Sequence, residues 1–201
     1  MLSALSLGAT LYIPATRSDL WPIVTGEKYP ELRSLVICLE DAITEQDVEL
    51  AKQNLKQLLQ KLQQQQRHEQ HPKIFIRPRH ISMAAELAEW QEITILDGMV
   101  LPKFGLANFK QWLDVLPATL HYMPTLETVD SFDMEQMKEL RQALSEFHKV
   151  LVLRIGGNDL LNCLALRRPS DVTLYQTPIG TLIANLAGQF LPYGFALSAP
   201  V

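Results

Sequence analysis

The stretch VLVLRIGGNDLL, residues 150–161, decides how the rest of the chain is read. It opens as a continuous apolar, β-branched-rich run, the pattern of a strand buried on both faces. The run breaks at Gly156-Gly157 and delivers Asn158 and Asp159 before an apolar helical turn. A buried strand that ends in glycines and an acid offers a carboxylate at the rim of a core. Taken alone, the same four residues also make an ordinary turn in which Asn158 or Asp159 caps the next helix. What separates the two readings is recurrence, and the pattern recurs along the chain with different polar tips.

Working upstream, LHYMPTL (120–126) is a strand tipped by Glu127, and GMVLPK (98–103) is one that ends on Lys103. KIFIRP (73–78) carries Arg77 at its end, SLVICL (34–39) runs into Glu40-Asp41, and TLYIPA (10–15) stops at Pro14 before Arg17. Downstream, GFALSAPV (194–201) reads as a seventh strand. Helical periodicity fills the gaps. The clearest case is roughly 44–66, where Thr44 with Asp47 resembles a capping box and Val48, Ala51, Leu55, Leu58 and Leu62 form the apolar stripe before a glutamine-rich end. Ser18 or Asp19 caps a short helix through Val24, and another helix starts near Ser82 with Leu87 and Trp90 inward. A short one carries Phe109, Trp112, Leu113 and Leu116. The next has Asp130, Asp133 and Glu135 at its start and His148 and Lys149 at its end, the order a helix dipole favours, with Met137, Leu140, Leu144 and Phe147 inward. Leu160 to Leu166 makes a helical turn, and an apolar helix covers about 178–191.

Strict β-α alternation argues for a parallel sheet with helices outside it. Repeated crossovers of similar length close most naturally into a (β/α)8 TIM barrel. An open doubly wound sheet is the alternative, but no G-x-G-x-x-G follows the first strand, where a dinucleotide site needs it. A barrel usually takes about 250 residues. This chain has 201 and stops on a strand, so the expectation is a single barrel domain over 1–201, truncated after the seventh strand. A fragment of a longer chain is favoured over completion by another chain.

Composition narrows the partners. A net charge of -4 and a pI near 5.7 give no case for nucleic acid, and basic residues cluster only at Arg167-Arg168. Cys38 and Cys163 lie in or beside apolar runs and read as buried free thiols, and the five histidines show no metal-ligand spacing. No basic leader region and no membrane-spanning run is present, so a cytoplasmic protein with no membrane partner is expected.

In a parallel sheet the C-terminal strand ends share one face, which in TIM barrels is where catalysis occurs. On that face the chain places Arg17, Glu40, Asp41, Arg77, Lys103, Glu127 and Asp159. Neighbouring strands lie about 4.8 Å apart, so Glu127 and Asp159 are expected to reach one point. Two adjacent carboxylates with room for water and substrate suit Mg²⁺. Gly156 and Gly157 leave space for a ligand, and Arg77 is placed to face a carboxylate or enolate. The competing reading of the same set is a rim of structural ion pairs around solvated loops.

LYIPATRSDL (11–20), LVICLEDAI (35–43), FIRP (75–78), DGMVLPK (97–103), PTLET (124–128) and GGNDLL (156–161) appear in order. Together they resemble the citrate lyase β-subunit and HpcH/HpaI aldolase family of phosphoenolpyruvate/pyruvate-type barrels. MPTLET, RIGGNDLL, the arginine pair and SAPV are similar to its divergent carbon–carbon bond lyase branch, associated with tellurite-resistance gene clusters. The resemblance implies a Mg²⁺- or Mn²⁺-dependent lyase that cleaves or forms a carbon–carbon bond beside a carbonyl. It implies Glu127 and Asp159 as metal ligands, Arg77 as the clamp on a substrate carbonyl or carboxylate, and Glu40 and Asp41 as groups orienting Arg77 or metal-bound water. Arg17 falls near the acyl-carrier or phosphate side of members that use CoA thioesters. The substrate is then a small oxo-acid or acyl-CoA-type molecule, and the protein a homo-oligomer. The chain departs from the family where it has Arg77-Pro78-Arg79 for R-x-N and Asn158 for an acid; Arg79 and Asn158 are thus expected to bind substrate, with Arg79 pointing to a more anionic one. Lys103 is not expected to form a Schiff base. The alternative function is a non-catalytic barrel serving as a ligand-binding or complex subunit.

Overall fold

The computed structural model describes residues 2–65 and 71–198. They divide into two compact units, Met1–Val100 with Val115–His121 and Leu101–Asp114 with Tyr122–Val201.

In the first unit, β1 (Leu11–Pro14), β2 (Ser34–Cys38), β3 (Lys73–Arg77) and β4 (Gly98–Leu101) pair in parallel, each with the strand next in the chain. Every residue of β2 is buried, as expected for a strand covered on both faces. Gly98 opens β4 because nothing larger fits: a Cβ there would stand 2.1 Å from the His121 carbonyl oxygen and 2.9 Å from the Phe75 ring.

The helices of this unit are α1 (Leu20–Val24), α2 (Val48–Gln64) and α3 (Ile81–Ala88). In α2 four of the five predicted stripe residues, Ala51, Leu55, Leu58 and Leu62, are buried, joined by Leu59, while Val48 at the helix start is half-buried. Each such leucine contributes about 1.5–3 kcal/mol of burial, and the leucines, lysines and glutamines that make up most of the helix are all good helix formers. The expected capping box at Thr44 does not form. Residues Glu45–Asp47 make a 3-10 turn, and the Thr44 hydroxyl donates to the Asp47 carboxylate at 2.7 Å instead of accepting a backbone N–H. Asp19 stands at the cap of α1 without capping it, because Arg17 and Lys28 engage its carboxylate. At α3 the cap is His80, whose Nδ1 accepts from the Met83 amide at 3.2 Å. The glutamine-rich end of α2 is described only to Gln65; Gln66 lies outside the described residues.

In the second unit, β5 (His121–Leu126), β6 (Leu153–Ile155) and β7 (Leu197–Ser198) pair in parallel in the same sequential way. The opening stretch is thus a shorter strand than its apolar run suggested, with Val150 adding one isolated bridge to Tyr122. The predicted seventh strand is present only as Leu197–Ser198, and its end, residues 199–201, lies outside the described residues.

Helices α4 (Phe109–Val115), α5 (Met134–Ser145), α6 (Gly157–Cys163) and α7 (Pro178–Phe190) follow the strands. α5 starts at Asp133, which accepts from the amides of Glu135 and Gln136, and it ends at Ser145, before His148 and Lys149. Those two residues therefore lie beyond the helix whose dipole they were expected to complement. Thr177 caps α7 ahead of Pro178, a residue suited to the first turn because its missing N–H is not needed there. Both cysteines are free; Cys38 is buried as expected, whereas Cys163, at the end of α6, is exposed. Among the described residues no helix is long and apolar enough to cross a membrane.

Candidate active site

Among the described residues each unit carries one buried glutamate one or two residues past the end of a strand, and the candidate residues group around these two positions.

In the first unit, Glu40 follows β2 and is 3% exposed. Arg77, the last residue of β3, forms an ion pair with it through Nη2, and the same nitrogen donates to Asp41 at 2.9 Å. The pairing Cys38↔Arg77 explains how they meet, since the strands end level and the chain after β2 turns across the end of β3. Asp41 is exposed, so one of the two carboxylates on Arg77 is buried and the other sits at the solvent edge. Arg79 reaches over the same loop: its Nη2 donates to the Ile43 carbonyl at 2.6 Å and its Nη1 pairs with Glu45 at 3.3 Å. Arg17 donates from Nε and Nη2 to the two oxygens of Asp19, both at 2.7 Å, and Lys28 adds a contact at 2.5 Å. These bonds, Arg17's before Lys28's, hold the Asp19 carboxyl well below the usual carboxylate range, and they raise Arg17 in turn.

In the second unit, Glu127 follows β5 and is 4% exposed. Its Oε1 accepts from the Lys103 amide at 2.7 Å. Lys103 itself is exposed and adopts a left-handed φ of 49°, held by Asn108, whose side chain donates to the Lys103 carbonyl and accepts from the Gly105 amide. On the other side stands Gly156. The register Leu126↔Ile155 brings it level with Glu127. A Cβ at position 156 would lie 2.3 Å from Glu127 Oε2 and 2.5 Å from Glu127 Cβ. The room that Gly156 leaves is therefore taken by the Glu127 side chain.

The helix α6 begins at Gly157, with Gly156 as its cap position and no side-chain cap. Asn158 and Asp159 lie in its first turn, Asn158 exposed and Asp159 half-buried, so neither acts as the capping residue. This removes the turn-and-cap reading of the stretch and leaves both polar side chains available at the head of the helix.

The donor chemistry fits a hard divalent cation. Glu127 and Asp159 offer carboxylate oxygens only, and Mg²⁺ is held by one or two carboxylates with the remaining positions given to water and substrate. Among the described residues no group of three or more His, Cys, Asp or Glu is gathered for a metal, which is the donor set a structural zinc site would need.

Sequence reasoning missed Arg79's attachment to the Ile43 carbonyl and the role of the Lys103 amide. The first left no signal, because a main-chain acceptor has no residue type. The second had one: P-K-F-G-x-x-N places an Asx-type acceptor where a turn at Lys103 needs it.

A family profile described as "C-C_Bond_Lyase of the TIM-Barrel fold" matches residues 1–201. The chain belongs to this carbon–carbon bond lyase family. The TIM-barrel class expected from the strand pattern, and the resemblance to citrate lyase β-subunits, both stand with it. Among solved structures, CitE from Mycobacterium tuberculosis in complex with magnesium and acetoacetate is similar at 16% identity and a TM-score of 0.70, covering 99% of this chain and 75% of that one. RipC from Yersinia pestis is similar at 20% identity and a TM-score of 0.64, covering 94% and 74%. A Haloferax volcanii malate synthase is similar at 13% identity and a TM-score of 0.75, covering 96% and 62%. At these identities the likeness is one of fold. The family member described here thus spans about three quarters of CitE and RipC and less than two thirds of the malate synthase. A comparison with curated protein sequences finds no match.

Proposed function

We propose that this protein is a Mg²⁺-dependent carbon–carbon bond lyase of the citrate lyase β-subunit type, acting on a small oxo-acid. The observation that carries the reading is the buried Glu127, seated against Gly156, where any Cβ would overlap it, at the head of a helix whose first turn holds Asp159.

In this reading Glu127 and Asp159 hold the cation, with Mn²⁺ an acceptable substitute. Bound there, Mg²⁺ supplies Lewis-acid stabilisation of the charge that develops beside the breaking bond. The Lys103 amide fixes one oxygen of Glu127 and so sets the direction in which the other points. In the first unit Arg77 supplies an anion clamp of its own, a guanidinium suited to a carboxylate or an enolate oxygen. Glu40, buried against Arg77, holds the guanidinium in place, and solvent-facing Asp41 is the partner that a substrate carboxylate exchanges with. Gly157 and Asn158 border the substrate at the start of α6. A CoA thioester is the finer alternative; we place the free oxo-acid first because the guanidinium of Arg17 is already bonded to both oxygens of Asp19.

The test is isothermal calorimetry with MgCl₂, followed by metal-supplemented assays over a panel of hydroxy- and oxo-acids. Divalent binding that is lost in Glu127→Ala and Asp159→Ala, with circular dichroism unchanged, is the expected result. No divalent binding would end the metal-dependent reading. Ligand binding with every lyase assay silent would instead favour a non-catalytic barrel.

A further inference from the structure

Arg79 departs from its family's usual residue and reads, from sequence alone, as an extra positive charge for an anionic substrate. Its surroundings point elsewhere. Both terminal nitrogens are engaged, one by a main-chain carbonyl and one by a carboxylate, and both acceptors lie on the loop that carries Glu40 and Asp41. Its own backbone is pinned at the start of α3, where the Arg79 amide donates to the Met83 sulfur at 3.3 Å. Pro78 stands between Arg77 and Arg79 and restricts the backbone that joins them. The loop is braced from within as well: the Ile43 amide donates to the Glu40 carbonyl at 2.9 Å, and Ile43 is buried.

We propose that Arg79 is a positioning residue: it locks the 40–45 loop over β3, so that Glu40 and Asp41 present Arg77 in one orientation, and it does not contact the substrate. The two arginines of R-P-R divide the loop between them, Arg77 taking its first two acids and Arg79 its far end. Two guanidiniums then face three carboxylates, Glu40, Asp41 and Glu45, so the second arginine offsets acids already there and adds no net positive charge for a ligand. This inference rests on the anion-clamp role proposed for Arg77.

Two measurements test it, and they fail separately from that reading. The first is amide hydrogen exchange across residues 40–47, which needs no ligand. Arg79→Ala and the gentler Arg79→Lys should each raise exchange at the Ile43 amide, by about tenfold or more in the alanine variant. Unchanged exchange would overturn the proposal whatever the protein binds. The second is the affinity for oxalate, a planar dianion shaped like an enolate, measured with Mg²⁺ present in the wild type and in Glu45→Gln. Glu45 is exposed, so this change leaves the fold intact. A positioning role predicts weaker oxalate binding, by roughly two- to threefold, because a loosened loop presents Arg77 less often. A direct role predicts the opposite sign, since Arg79 released from Glu45 would be freer to meet the anion; stronger binding would overturn the proposal. If the wild type binds no oxalate, the Arg77 clamp fails, while the exchange result still decides what Arg79 does.

Discussion

Glu40 and Glu127 occupy equivalent places, one residue or two past the end of a parallel strand and almost fully buried, yet they are held by different means. Glu40 is met by the guanidinium of Arg77. Glu127 is met by the Lys103 amide and by a glycine that makes way for it. The same contrast appears at the surface. Asp19 in the first unit is held by Arg17 and Lys28, whereas Asp133 in the second is held by the Gln136 side chain and by the amides of Gln136 and Glu135. Acids gripped by cations contribute local neutrality. A main-chain N–H fixes the direction of a carboxylate without neutralising it, which is what the Lys103 amide does for Oε1 of Glu127.

The sharpest way to break the contrast is Arg77→Ala. Removing one partner of a buried pair takes from Glu40 the guanidinium that meets it, which costs about 3–5 kcal/mol. Urea denaturation should show that loss, and the double variant Glu40→Gln/Arg77→Ala should recover much of it. Glu127→Gln should cost far less, because the amide oxygen of glutamine still accepts from Lys103. Its effect should fall on Mg²⁺ affinity.

Gly156→Ala attacks the other member. The added methyl must displace the Glu127 side chain, and overpacking of this kind costs typically 1–3 kcal/mol. Mg²⁺ affinity measured by calorimetry should drop at least tenfold while circular dichroism stays that of the wild type. Gly157→Ala is the control, and an equal loss at both positions would show that the glycines serve the helix rather than the carboxylate.

Much of this was readable before any coordinates. Strand positions followed from six apolar runs ending in polar tips, and α2 from its leucine spacing, because burial imposes a period on the sequence. The parts that were not readable depend on main-chain partners or on competition between side chains. Asp19 and Thr44 have the composition of helix caps, but neighbouring arginine, lysine and aspartate side chains engage them first. Cys163 follows two buried leucines of α6, and the helix ends there with the thiol in solvent. Gly156 looked like room for a ligand, and only a carboxylate from the neighbouring strand shows whose room it is.

The smallest expected effect distinguishes the two means of holding an acid by salt. Asp19 and Asp133 both titrate below the ordinary carboxylate range when folded, Asp19 through Arg17 and then Lys28, Asp133 through the Gln136 side chain and then its amide. A carboxyl whose pKa is depressed by folding stabilises the folded state above its unfolded pKa, near 4, and loses that contribution as pH falls through the folded value. Stability should therefore decline below about pH 4 at both sites. The cation-held site is exposed, so at 1 M salt, where the screening length is about 3 Å, its share of the decline should shrink. The site held by neutral amides, the Gln136 side chain and the Gln136 and Glu135 main chain, should keep its share, since a hydrogen bond at contact is little screened. Urea midpoints of Asp19→Asn and Asp133→Asn between pH 2 and pH 6, each at low and high salt, read this directly. Asp19→Asn should flatten the acid limb only at low salt, and Asp133→Asn should flatten it at both. Equal salt dependence would remove the distinction between the two kinds of acid.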